Sequence, residues 1–421
     1  MNVTRVRREH LAGLLATVLL FGLGCGDDGG EPYEMQVDTF NVALAGAFIP
    51  YEAERRQPII DALAASDSDV VCLQEVWRQE DKDLIEAGVA GTFPHAVSFT
   101  HGLDTPVDDP TDQEGMVPPT PTAPPCADAT LASQFEAAVA CLEENCNSEP
   151  GSDAGQTTSS ACAQSECLDV VTPLILGDDA ALACYSCLTT SLPTEPFADM
   201  RDLCTNEVGA ELAFRGQSGV MILSRHPLRD AEAFVMPGTW NRRIVASATA
   251  ELPNGSEVDV HCNHLTPIFD SIAFPYTGDY GDEMDGPDGW AAEQLLQAGK
   301  LVDWVGERSA TRPAVILGDM NAGRAGDGLT AEGVATMDVL EGAFTLAVAS
   351  DFTPSCTFCP DNPNASEGSP AVWIDHIFVA NVEAEDVLST EVVYDESTVS
   401  ADGMMVPLSD HFALRSVIAI D

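Results

Sequence analysis

Several short apolar runs of this chain end in polar side chains of the kinds that bind metal ions or move protons. Asn41 closes Val37-Asp38-Thr39-Phe40, Glu75 follows Val70-Val71-Cys72-Leu73-Gln74, and His264 follows Val258-Asp259-Val260-His261-Cys262-Asn263. Asp319 and Asn321 follow Val315-Ile316-Leu317-Gly318, Asp375 sits in Trp373-Ile374-Asp375-His376-Ile377, and Asp410-His411 sits in Leu408-Ser409-Asp410-His411-Phe412. A residue at the end of a buried strand is held rigidly while its side chain faces a cleft. Carboxylate and carboxamide oxygens suit hard cations such as Mg²⁺, Mn²⁺ or Ca²⁺, and a histidine beside a carboxylate suits general-base activation of water. Taken singly, each of these residues reads more readily as a turn or a hydrogen-bonded core residue. Their repetition at strand ends makes them a candidate site. The basic pair in Asn241-Arg242-Arg243 is open to two readings, a phosphate contact or a solvated surface pair.

The elements that must carry these residues follow from apolar patterning. Met35–Val42, Glu54–Ala65 and Asp69–Leu73 predict a strand, a helix and a second buried strand. Further strands are predicted at Ser218–Leu223, Ile244–Glu251, Glu257–Cys262, Pro313–Leu317, Trp373–Val379, Val387–Val393 and Phe412–Ile420, with one amphipathic helix at Trp290–Arg308. Strands in two runs with few helices between them imply an α/β protein whose sheets pack on each other with helices outside. Residues 101–204 interrupt that pattern. Residues 101–200 hold 17 acidic residues and no Lys or Arg, and include the Pro-rich run Val117–Pro125. Eight cysteines lie here: Cys126, Cys141, Cys146, Cys162, Cys167, Cys184, Cys187 and Cys204.

An even set of cysteines in an exported chain predicts a disulfide framework, with the four-residue gaps before Cys146 and Cys167 suggesting short stapled helices; the connectivity stays open. A zinc cluster is the weaker alternative, because no His lies between His101 and His226. Cys356-Thr-Phe-Cys359 predicts a local loop disulfide, and Cys72 and Cys262 are expected as buried free thiols. Export itself is read from Arg5, Arg7 and Arg8 ahead of the apolar run Leu11–Leu23, which is too short to span a membrane. The segment Gly22-Leu23-Gly24-Cys25 resembles a bacterial lipoprotein signal, with Gly22 where that pattern usually has Leu. It implies removal of residues 1–24, lipidation at Cys25 and a tether over 25–34 that anchors the chain to the cell envelope or surface. A conventional signal peptide, releasing the protein, is the alternative.

The chain carries 18 Lys+Arg against 68 Asp+Glu, a net charge of −50. Removing 1–24 takes three basic residues and Glu9, leaving −52. Such a field repels polyanions and disfavours a stable nucleic-acid complex. No apolar run reaches the roughly 18 residues of a spanning helix, which excludes a polytopic membrane protein.

In order, Phe40-Asn41-Val42, Leu73-Gln74-Glu75-Val76, the segment Ser218–Arg225, Asn263-His264-Leu265, Gly318-Asp319-Met320-Asn321, Ile374–Val379 and Ser409-Asp410-His411 resemble the endonuclease/exonuclease/phosphatase superfamily. The resemblance covers 35–100 and 205–421, with the insertion 101–204 lying outside it. It implies a four-layer α-β-β-α sandwich of two mixed sheets and a divalent-cation site at one edge. On it, Glu75 is the main Mg²⁺ or Mn²⁺ ligand, helped by Asn41 and Asp410. His411 is the general base, oriented by Asp375. Asp319 and Asn321 hold the nucleophilic water and phosphate, and His264 donates towards the scissile phosphate. One departure is Glu293-Gln294, where relatives often carry a basic residue ahead of the Gln.

The expected reaction is phosphodiester hydrolysis, and the substrate is open. A phospholipid such as sphingomyelin suits an acidic chain, although no clear aromatic hairpin for membrane insertion stands out. Trp77, Phe93 and the loop Pro267–Tyr276 are the apolar candidates. A secreted nuclease would need ions to mask the charge. A surface-binding module that uses the Cys-rich insertion is the non-enzymatic alternative.

Overall fold

The computed structural model describes residues 31–108, 121–146, 165–269, 274–278, 280, 286–366 and 368–421. Its strands are β1 (Tyr33–Leu44), β2 (Val70–Val76), β3 (His95–Ser98), β4 (Met221–Ser224), β5 (Leu228–Val235), β6 (Ile244–Glu251) and β7 (Glu257–His264). They continue with β8 (Ala314–Asp319), β9 (Thr345–Leu346), β10 (Asp375–Ala380), β11 (Val387–Val393), β12 (Val399–Ala401), β13 (Met404–Val406) and β14 (Ala413–Ile420). One sheet has the order β11-β14-β1-β2-β4-β3 and a second β5-β6-β7-β8-β10-β9, while β12 and β13 form a separate hairpin. Each large sheet holds one parallel pair, β1/β2 in the first and β7/β8 in the second, among antiparallel ones.

Period-2 alternation builds the layers. In β2, Val70 and Cys72 face the second sheet, while Val71 and Leu73 face helices α1 (Glu52–Ala64) and α2 (Gln79–Val89) through Ile59, Leu63 and Ile85. In β8, Val315 and Leu317 face inward, while Ala314 and Ile316 pack on the outer helices. The result is the expected four-layer sandwich.

The insertion has a core of its own. Its helices are α3 (Ala129–Asn145), α4 (Leu168–Ile175), α5 (Asp179–Ser191) and α6 (Phe197–Asn206), packed around Phe135, Leu142, Leu174, Leu188 and Met200. The sandwich's second helical layer follows as α7 (Gly286–Arg308) and α8 (Val334–Ala343), which bury Leu301, Val305 and Leu340 against β8 and β10. Asp128 caps α3 by accepting from the amides of Thr130 and Leu131, and Asp178 caps α5 through Ala181, so acidic residues here stabilise helix starts. Disulfides Cys126–Cys184, Cys141–Cys167 and Cys187–Cys204 staple the helices, and Cys146 is also disulfide-bonded. Cys162 and the signal segment with Cys25 lie outside the described residues.

Three expectations need correcting. Cys72 and Cys262 are not free thiols: inward-facing on β2 and β7, with Cα atoms 5.4 Å apart, they form a disulfide between the two sheets. Tyr33 and Glu34, assigned to the tether, already belong to β1, because they pair with Ile420 and Ala419 of β14. Trp77 and Phe93 are buried at 2% and 1% exposure and present no surface to a lipid.

Candidate active site

The two parallel pairs bring the C-terminal ends of β1, β2, β7 and β8 to one edge of the sandwich. β10 runs antiparallel to β8, so its first residue, Asp375, stands opposite Asp319, and Asp319 in turn stands opposite His264. Backbone conformation aims two of the side chains: Glu75 and Asn321 adopt left-handed φ of 61° and 46°, a conformation that costs a non-glycine residue energy and recurs at functional sites. Arg55, buried beneath, donates to the carbonyls of Val42 and Ala43, just past Asn41, and of Leu408, just before Asp410, at 2.7 to 3.0 Å. It ties the two loops of the first sheet together.

Asp319 is the hub. Its Oδ2 accepts from Asn41 Nδ2 at 3.0 Å and lies 3.4 Å from His264 Nε2 and 3.8 Å from His411 Nε2. The same Asn41 amide donates to Glu75 Oε1 at 3.0 Å, and the amide oxygen accepts from the Ala43 N–H. His411 Nδ1 meets Asp375 Oδ2 at 2.8 Å across the gap between the sheets, leaving Nε2 towards Asp319. Asn321 donates its backbone N–H to Asp319 Oδ1 and its carboxamide NH₂ to Leu265 O, so it locks the loops after β7 and β8 together.

The structure separates the two arginines. Arg242 is ion-paired with Glu211 at 2.6 Å and donates to Thr105 O, tying the start of the insertion to the core. Arg243 turns the other way, its guanidinium 5.5 Å from the Trp77 ring, which stacks on Phe214. Its Nε and Nη1 are buried without hydrogen-bond partners, and Glu75 and Asp319 act on it electrostatically. Neither arginine is a solvated surface residue.

Charges in this pocket perturb one another. Burial first, then the charge of Asp410, raises the carboxyl pKa of Glu75; burial first, then Asp375, raises that of Asp319. Burial, with Arg243 and His411 nearby, holds His264 well below its ordinary value, so its imidazole is neutral. His411 goes the other way: burial opposes its charge, but Asp375 and Asp319 outweigh that and raise it well above the ordinary value. Crowded acidic groups that resist ionisation are relieved by a cation, and hard oxygen donors select a divalent one. Asp375 Oδ1 is in addition buried without a partner. The residues therefore fit a divalent metal ion. Ligand atoms of Asp319, Asp375 and His411 lie within 4.8 Å of one another, a spacing that could also hold one.

Two supporting residues carried no sequence signal for their role. Glu293, buried in α7, accepts from Thr239 and from Thr266 Oγ1, and burial pushes its carboxyl pKa up to about 7. Gln294 donates to the carbonyls of Thr266 and Asn321, bridging the loops after β7 and β8. The Glu-Gln departure noted in the sequence thus places a buried acid where the loops meet.

Residues 39–411 match the model of the endonuclease/exonuclease/phosphatase family. A putative neutral sphingomyelinase from Drosophila melanogaster is 44% identical over 59 residues, 13% of this chain and 13% of that protein's length. Among solved structures, sphingomyelinase C from Streptomyces griseocarneus is 14% identical over 92% of this chain and 99% of its own, with a TM-score of 0.48. A mutant beta toxin from Staphylococcus aureus with bound magnesium ions is 14% identical over 92% of this chain and 100% of its own, with a TM-score of 0.49.

Proposed function

The chain belongs to the endonuclease/exonuclease/phosphatase family, whose members are generally phosphoester hydrolases, and from that premise we propose that it is a divalent-metal-dependent phosphodiesterase acting on a phospholipid such as sphingomyelin. The observation that carries the reading is the Asp375–His411 pair, 2.8 Å apart, with His411 Nε2 facing Asp319 in a buried acidic pocket. Asp375 fixes the Nδ1–H tautomer; Nε2 would take a proton from the attacking water once a bound cation offsets the Asp319 and Asp410 charges that otherwise favour the imidazolium. Asp319 positions that water, with Asn321 holding its carboxylate. Arg243, whose Nε and Nη1 have no hydrogen-bond partner, and His264, whose Nε2 lies 3.4 Å from Asp319 Oδ2, would contact the phosphoryl oxygens. Glu75 and Asp410, with Asn41 beside them, would hold Mg²⁺, and the ion would supply charge stabilisation to the phosphoryl group.

Two observations favour lipid over nucleic acid. Arg56, Arg78, Arg201, Arg215, Arg229, Arg242, Arg308, Arg312, Arg324 and Arg415 are each ion-paired with a carboxylate, so they form no free basic track for a polyanion. The hairpin β12–β13, unrecognised in the sequence, presents Met404 and Met405 at 51% and 53% exposure, a few residues ahead of Asp410. Export to an oxidising compartment, with anchoring through Cys25, is consistent with the disulfides of the insertion.

The test is Mg²⁺-dependent release of phosphocholine from sphingomyelin vesicles, run beside nicking of supercoiled plasmid, with the His411→Ala variant as blank. Phosphocholine release with intact plasmid is expected. Plasmid nicking that rises with salt would replace the lipid reading by the nuclease one, and activity unchanged in EDTA would remove the metal from the mechanism.

A further inference from the structure

Asp375 and His411 belong to different sheets, yet their bond must hold at 2.8 Å. Between them runs the loop that contains the Cys356–Cys359 disulfide. The two residues enclosed by that disulfide touch both partners. Thr357 Oγ1 accepts from the backbone amides of Ile374 and Asp375, and the Thr357 carbonyl accepts from Phe412, next to His411, at 2.7 Å. Phe358 exchanges backbone hydrogen bonds with Val372 on one side, bridges the His411 backbone on the other, and lays its ring 5.1 Å from the imidazole. Just beyond the disulfide, Asn362 and Asn364, both buried, donate to the carbonyls of Ser409 and Pro407, fixing the segment that carries Asp410 and His411. The loop therefore bonds to the start of β10 in the second sheet and to the approach to β14 in the first.

We propose that the disulfide-closed loop Cys356–Asn364 is the positioning element of the Asp375–His411 pair, with the Cys356–Cys359 bond fixing Thr357 and Phe358 so that the two sheets present acid and base in register. Catalytic pairs must be held within about 0.5 Å of the productive geometry, and a four-residue turn facing two strands has too much freedom to do so without closure. None of the loop residues reaches the reacting atoms; they act through Asp375 and His411. The proposal uses the hydrolase reading for its kinetic readout but is tested independently of it as well.

The experiment compares wild type with Cys356→Ser/Cys359→Ser, Thr357→Val and Thr357→Ser, all in the full mature chain. One readout is hydrolysis of bis(p-nitrophenyl) phosphate with Mg²⁺. The other is the proton resonance of the His411 Nδ1–H bonded to Asp375, identified by its absence in His411→Ala. The double variant and Thr357→Val are expected to lose about 10- to 100-fold in kcat at nearly unchanged KM, the size of a roughly 1 Å misplacement. Their Nδ1–H resonance should shift or broaden, whereas Thr357→Ser, which keeps the hydroxyl, should restore both. A double variant with wild-type kcat and an unmoved resonance overturns the proposal. Should the double variant fail to fold, the Thr357→Val and Thr357→Ser pair decides on the same readouts. A wild type inactive on every phosphodiester, with the resonance still moving in the variants, would sink the hydrolase reading and leave the positioning role standing.

Discussion

Removing the inter-sheet disulfide by Cys72→Ala/Cys262→Ala isolates a term that the structure makes large. The bond closes a loop of 190 residues. Chain entropy for a loop of that length puts its contribution at about 5 kcal/mol at 25 °C. The Cys126–Cys184 and Cys187–Cys204 bonds inside the loop span 58 and 17 residues and shorten its effective length. Because the dependence is logarithmic, they lower that figure by only about 0.5 kcal/mol. The same relation gives about 1.5 kcal/mol for the Cys356–Cys359 bond, whose sequence separation is 3. Urea denaturation of both double variants checks the contrast. The Cys72/Cys262 variant should show a much lower midpoint and a steeper slope, since its unfolded chain exposes more surface. Its activity at low urea should persist, because ladder bonds to β1 and β8 still hold the strands that carry Glu75 and His264. A loss below about 1 kcal/mol, or one no larger than that of the short-loop variant, would refute the reasoning.

His411→Ala should cost about 10² to 10⁴ in kcat, and a tenfold loss or less in a phosphodiesterase assay would remove it as the base. Metal affinity should rise with pH: burial and mutual repulsion raise the pKa values of Glu75 and Asp319, protons compete with the cation, and the Mg²⁺-induced gain in Tm should therefore be larger at pH 8 than at pH 6. A gain independent of pH would place the ion elsewhere. Glu293 ionises at about 7 when folded against 4.5 as an ordinary side chain, so the folded state holds its proton more tightly and stability falls as pH rises between those values. Fully buried, it accounts for on the order of 3 kcal/mol of that fall. Glu293→Gln should flatten the profile of metal-free protein, and an unchanged slope would show that another group carries it.

The sequence's own patterns located most of the sandwich. β6 and β11 run between the residues that the apolar pattern marked, and β1, β7, β8 and β14 match to within a few. Strands that bury one or both faces write their alternation into the chain. β5 did not, because it is an edge strand with Arg229, Asp230 and Glu232 exposed and a register shift between Arg229 and Glu232. Nor did α2, whose buried positions include Asp81 and Lys82, or the short hairpin β12–β13 with its exposed methionines.

The site divides in the same way. Residue type and position at a strand end singled out Asn41, Glu75, His264, Asp319, Asn321, Asp375, Asp410 and His411 as candidates, since the chemistry of a carboxylate or an imidazole is intrinsic to the side chain. Which of two adjacent arginines turns to the carboxylates was undetermined. That Arg242 goes to Glu211 and Arg243 to the site follows from the alternation of side chains leading into β6, together with the packing of the insertion. The Cys72–Cys262 bond and the hydrogen bonds of Thr357 to Ile374, Asp375 and Phe412 join residues whose meeting depends on how two sheets stack. Local sequence sets the face on which a side chain points; only the docking of one sheet on the other sets what it finds there.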